Sequence, residues 1–165
     1  MSNPLIVPVA EVLRRPGSRR ELFIEADVEG LATSDAAVLG PVNLRLHLES
    51  AVGGLEVTGS LSAEWRGSCR RCLAAIEQSV DLDLREMFSS TPLDEEVYAI
   101  NDGEADFTPM VRDCLVLALP IAPLCSDDCA GPAPDAYPVN QPEPAAEDRP
   151  RDPRWAALDE LRAGQ

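Results

Sequence analysis

The sequence predicts an α+β fold, a mainly antiparallel β-sheet with one principal α-helix, a Pro-rich linker and a short C-terminal helix. Three observations carry that prediction. Two runs alternate apolar and polar residues with period two across a short Gly-Gly turn. One apolar stripe between Phe107 and Ala118 repeats with helical spacing. Six prolines then crowd residues 131–151 with few large apolar side chains, too little burial to offset the entropy of ordering them. The 165 residues therefore divide into a β-rich domain over 1–130, a flexible linker over 131–151 and a docking helix over 152–165.

Taken in order, a short apolar run opens the chain, and a helix-like piece from Val9 to Arg15 is stopped by Pro16-Gly17. Leu22, Ile24, Ala26 and Val28 then alternate with Phe23, Glu25 and Asp27, a half-buried strand blurred by Phe23. Val42, Leu44, Leu46 and Leu48 alternate cleanly with polar neighbours. After a turn over residues 50–54, Leu55, Val57, Gly59, Leu61, Ala63 and Trp65 share one face. Ile76, Val80, Leu82 and Leu84 resume the alternation, so the intervening segment should join two antiparallel strands. Residues 90–106 are acidic and rich in turn formers, which reads as a mobile connection. Asp106 can cap the helix that follows, and Leu119-Pro120 ends it. At the far end Asp152 and Pro153 start a helix that puts Trp155 and Leu158 on one face. So short a helix needs a surface to dock on.

Composition bounds the function. Hydrophobic content of 45% permits a core, but 4% aromatic residues leave it to Val, Leu, Ile and Ala. The formal net charge is −15, and all fourteen basic residues are Arg. Such a chain repels a phosphate backbone, so DNA is not an expected partner and a basic protein is electrostatically easier. No stretch approaches the roughly 18 apolar residues of a membrane span. The N-terminus lacks the basic and apolar regions of a secretory signal, and a cytoplasmic location is expected. Thiols stay reduced there, favouring metal or free thiol for the five cysteines.

Cys69-Arg70-Arg71-Cys72 is the most specific motif. Two cysteines at that spacing can turn their sulfurs to one point, and Cys125 with Cys129 can complete a four-sulfur zinc site. A tight turn with reduced thiols packed as small hydrophobes accounts for the same residues. Cys114 falls on the helix stripe and reads as core, and His47 as a solvated side chain. A lone histidine supports no nucleophilic triad, and no phosphate-cradling or dinucleotide motif is present, so no enzyme is expected. Arg14, Arg15, Arg19 and Arg20 form one basic patch, and Arg66, Arg70 and Arg71 another. Guanidinium groups suit phosphate contacts, so RNA would touch here; pairing with nearby carboxylates is the alternative use.

Several of these pieces occur together in an order that resembles the YceD family. They are Val57-Thr58-Gly59, Cys69-Arg70-Arg71-Cys72-Leu73, Leu115-Val116-Leu117-Ala118-Leu119-Pro120 and Pro123-Leu124-Cys125. The tail from Asp152-Pro153-Arg154-Trp155 to Leu161 and the opening Arg15-Pro16-Gly17-Ser18-Arg19-Arg20 extend the resemblance over nearly the whole chain. One departure stands out: many relatives carry a second CxxC knuckle where this chain has Ala133 and Ala136, leaving Cys125 and Cys129 as substitutes or leftovers. The resemblance implies a non-enzymatic role in synthesis, processing or stability of large-subunit (23S) ribosomal RNA, and the acidity of the chain adds the expectation that it acts through ribosome assembly. The expected partner is that RNA, a ribosomal protein or a pre-ribosomal particle, and the residues themselves suggest contact at Arg66, Arg70 and Arg71 of the knuckle and at Trp155 and Leu158 of the tail. A small zinc-binding module for protein interaction or RNA binding is the alternative.

Overall fold

The computed structural model describes residues 3–92 and 97–136. The chain divides into two compact units, Met1–Pro132 and Ala133–Gln165. All described strands and helices belong to the first. The expected linker beyond Ala136 and the C-terminal helix with Trp155 and Leu158 lie outside the described residues.

The first unit is built on one seven-stranded sheet. Its elements are β1 (Ile6–Pro8), α1 (Ala10–Leu13), β2 (Arg19–Ala26), β3 (Ala36–Ala51), β4 (Gly54–Ser68), β5 (Ala75–Ser89), β6 (Tyr98–Asn101), β7 (Glu104–Asp106) and α2 (Thr108–Ala118). The strand order is β1-β7-β6-β5-β4-β3-β2. The expected α+β class, a mainly antiparallel sheet with one principal helix, is overturned. The described residues are 50% strand and 12% helical, a mixed, curled sheet accompanied among those residues by two short helices. It is mixed because β6 runs parallel to β5, with Phe88 opposite Tyr98.

Two physical reasons explain the difference. The central strands outrun the clean alternation that marks them, reaching 16 residues in β3 and 15 in each of β4 and β5. In β3 the pairing slips between Leu39 and Asn43, where Gly40 and Pro41 break the pattern without ending the strand. The acidic segment read as a mobile connection also holds β6 and β7, with Ile100 and Ala105 buried. Asp102 and Gly103 both take positive φ, 51° and 80°, which a tight hairpin requires.

The period-two runs sort as their pattern dictates. Val42, Leu44, Leu46 and Leu48 of β3 are buried, as are Leu55, Val57, Leu61 and Ala63 of β4. The two strands are joined by an exposed two-residue turn, Val52-Gly53. Against this face lie Phe107, Met110, Val111 and Leu115 around and within α2, in one large cluster with Phe88. Phe23 points outward beneath the Arg45 guanidinium, 5.3 Å from its ring centre, which is why it interrupts the strand pattern. Asp106 supports the start of α2, its carboxylate accepting the Thr108 N–H at 2.9 Å.

A second, smaller cluster positions the site. Ala36, Trp65, Cys69, Ile76, Leu119 and Cys129 are buried together at the knuckle end of β4 and β5, with Cys72 and Leu124 packed against them. Gly67 allows this closure: a side chain there would strike the Asp35 carbonyl.

Candidate metal centre

Cys69 and Cys72 lie between β4 and β5, in a tight reversal. The Cys69 N–H donates to the Ala74 carbonyl at 2.8 Å, and the Leu73 N–H to the Cys69 carbonyl at 2.9 Å. Leu73 turns the chain with φ 62°, a left-handed conformation that usually falls to glycine. The reversal brings both sulfurs to one side.

The 52 residues from Leu73 to Leu124 look long for one compact site, and the fold explains them. They run out through β5, β6 and β7 and return along α2. At its end the Leu119 N–H still bonds the Leu115 carbonyl, while the backbone turns extended at ψ 136°. Leu119 then packs in the cluster with Trp65 and Cys69. The Arg70 N–H donates to the Pro123 carbonyl at 2.8 Å, and a turn closed by the Cys129 N–H and the Ser126 carbonyl presents the second cysteine pair.

All four sulfurs lie within 4.8 Å of one another. The Cys69 and Cys129 sulfurs are 3.7 Å apart, those of Cys72 and Cys125 3.6 Å. Zinc–sulfur bonds of about 2.3 Å in a tetrahedron give edges of about 3.8 Å, so the cage fits a zinc-sized ion. A disulfide at about 2.05 Å does not match either separation. Four cysteines this close can hold a metal ion. Alanine at 133 and 136 offers no ligand atom, and Cys125 with Cys129 completes the sulfur set.

The thiols are not electrostatically alike. Backbone N–H groups of Cys72 and Cys125, with a smaller contribution from Arg71, bring the Cys69 pKa down to about 6 against the opposing effect of burial. Cys125 is pushed up to about 12, first by its hydrogen bond with Cys129 and then by those with Cys72 and Cys69. Cys114 stands apart on α2, half-buried against the main core, where burial raises its pKa. His47 is exposed, 3.4 Å from Glu21.

The basic residues around the knuckle divide. Arg66 and Arg70 are exposed. Arg71 instead donates through Nη1 to the carbonyls of Asp127 at 2.8 Å and Cys129 at 3.0 Å, tying the first pair's loop to the second's. Sequence reasoning groups it with the RNA-facing arginines and misses this brace, because a guanidinium aimed at carbonyls leaves no pattern. In the N-terminal patch, Arg19 forms a two-pronged pair with Glu49, and Arg20 bonds the Pro8 carbonyl. Trp155 and Leu158 lie outside the described residues.

A sheet that ends in a four-sulfur knuckle defines the class: a β scaffold pinned at one end by clustered cysteines. More narrowly, residues 57–162 match the family model described as "Large ribosomal RNA subunit accumulation protein YceD". This chain belongs to that family, whose description ties it to accumulation of the large ribosomal RNA subunit. It is 32% identical over 174 aligned residues to an uncharacterized protein of Mycobacterium tuberculosis, covering 98% of this chain and 83% of the relative. An uncharacterized protein of Mycobacterium bovis is equally similar. One from Mycobacterium leprae is 28% identical, with 98% of this chain and 79% of the relative covered. No solved structure matches significantly. Among the described residues no helix is long and apolar enough to cross a membrane.

Proposed function

We propose that this protein is a non-enzymatic factor that supports synthesis, processing or stability of large-subunit (23S) ribosomal RNA in the cytoplasm, acting through ribosome assembly. Membership of the YceD family carries the reading. The net charge of −15 favours a basic ribosomal protein, or a pre-ribosomal particle presenting one, as the direct partner. Cys69, Cys72, Cys125 and Cys129 bind a structural zinc ion that fastens the α2-terminal segment to the knuckle. A closed four-sulfur shell leaves no open coordination position for a substrate, in keeping with a scaffold role. Arg71 holds the two cysteine loops together. Trp155 and Leu158 are the apolar residues through which the C-terminal segment docks.

Deleting the gene should lower mature large-subunit RNA relative to small-subunit RNA, and a plasmid copy should restore it. An unchanged ratio in a clean deletion counts against the proposal.

Direct RNA contact is the second reading, favoured by the exposure of Arg66 and Arg70 beside the knuckle. Crosslinking in cells separates the two: ribosomal RNA adducts lost on R66E/R70E support it, and adducts unaffected by the pair oppose it.

A further inference from the structure

We infer that Cys72 and Cys125 form a reversible two-electron oxidation site, through which one fastening of the knuckle is exchanged for another. The inference rests on the four-thiolate metal reading and concerns how that site is regulated.

The four sulfurs are unequal in access. Cys69 and Cys129 are buried, at 0% and 9% exposure, beside Trp65, Ile76 and Leu119. Cys72 is half-buried and Cys125 is exposed. A small oxidant arriving from solvent therefore meets the outer pair first. Its two sulfurs lie 3.6 Å apart, on different segments.

The chemistry closes with hydrogen peroxide as oxidant. Cys125, which would be a thiolate while an ion is held, attacks the peroxide oxygen; an S–O bond forms, the O–O bond breaks and hydroxide leaves, giving the sulfenic acid. The Cys72 thiolate then attacks that sulfur, the S–S bond forms and a second hydroxide departs. Two sulfurs together have lost two electrons, the peroxide has gained two, and solvent protons convert both hydroxides to water. Cys69 and Cys129 alone would remain as thiolate ligands, too few to complete the four-sulfur site, so a bound ion would be released.

The knuckle does not open as a result. The new bond joins the same two segments that the metal joined, across the excursion through β5 to α2. Two non-sulfur ties persist beside it: Arg70 N–H to the Pro123 carbonyl, and Arg71 to the carbonyls of Asp127 and Cys129. Oxidation thus discharges the ion while keeping the second cluster covered. A dithiol reductant reverses the exchange and restores the metal-binding state.

The test uses the full chain carrying C114S, which removes the one thiol outside the cluster. Metal content is measured first. The protein is then treated with hydrogen peroxide while zinc release is followed with a chromophoric chelator, and disulfides are mapped by peptide mass spectrometry. One zinc ion released per disulfide, with Cys72 linked to Cys125 and both effects reversed by dithiothreitol and added zinc, is the expected result. A first disulfide within Cys69–Cys72 or between Cys69 and Cys129 overturns the inference, as does zinc retained under a tenfold excess of peroxide. Protein that neither contains nor takes up zinc refutes the metal reading instead, and the disulfide map still decides the pair.

Discussion

Leu73 shows how a single residue carries the geometry of the knuckle. It holds φ at 62° while its side chain is 74% exposed, so it bears a backbone cost with little burial in return. Left-handed backbone in a non-glycine residue costs on the order of 1 kcal/mol. Replacing Leu73 with Gly should therefore raise the thermal midpoint by a few degrees and leave metal content unchanged, read by calorimetry and elemental analysis. A lowered midpoint would mean that the side chain contributes packing. Cys69→Ser acts oppositely, removing a buried sulfur from both the cage and the second cluster. Metal stoichiometry should fall to near zero, while Cys114→Ser should leave it at its original value. Spacing alone makes the four cysteines legible as a group, because close pairs are how sulfur ligands are supplied. The inequality between the outer and inner sulfurs is not legible, since burial is decided by Trp65 of β4, Ile76 of β5 and Leu119 just past α2, which meet only in the fold.

Among elements, the β3–β4 hairpin is the part most readable in advance. Its alternation, its glycine turn and its buried face all agree, as consistent local and global preferences should. The β6–β7 hairpin is the least readable. Its strands have four and three residues, too few for a period to emerge, and the surrounding acidity looks like solvated loop. What holds it is aromatic packing. Phe88 of β5 stacks on Tyr98 at 5.1 Å and meets Phe107 edge-on at 5.2 Å. Tyr98 also reaches the Asp113 carboxylate of α2, donating its hydroxyl at 3.1 Å. Phe88→Ala should destabilise the fold by about 3–5 kcal/mol, as burial, cavity and aromatic contacts are lost together. Urea unfolding measures this directly, and a loss under about 1 kcal/mol would show that β6 is held by other means. The helix α2 is legible in extent and orientation, but an 11-residue rod beside seven strands is an attachment to the sheet rather than a layer of equal weight.

For the molecule as a whole, metal loading should be coupled to protons. At neutral pH Cys69, with its pKa near 6, is largely thiolate, whereas Cys125, near 12, keeps its proton until an ion displaces it. Protons compete with metal, so affinity should climb with rising pH and the ion should be shed as pH falls. Titration calorimetry of the metal-free protein at pH 7, in buffers of different ionisation heat, should report at least about one proton released per ion bound. A buffer-independent enthalpy would contradict this. Chelation should also loosen the cover over Trp65, 6% exposed in the closed form, and shift its emission to the red in a W155F background. An unmoved spectrum would mean that hydrogen bonds alone keep the segment in place. The chain's acidity and its family motifs are legible without coordinates, whereas the parallel β5–β6 pairing and the long return to the knuckle are not, because nothing local encodes which distant strands meet.

That distance has a temporal side. β1 pairs with β7, matching Ile6 to Asp106, while β3, β4 and β5 each meet a neighbour supplied by a short connection. Loop-closure entropy makes the near pairings quick and the remote one slow. In a chain made from the N-terminal side, β1 thus exists long before the edge it joins, and nascent protein passes through an interval with its meander formed and β1 still waiting for β7.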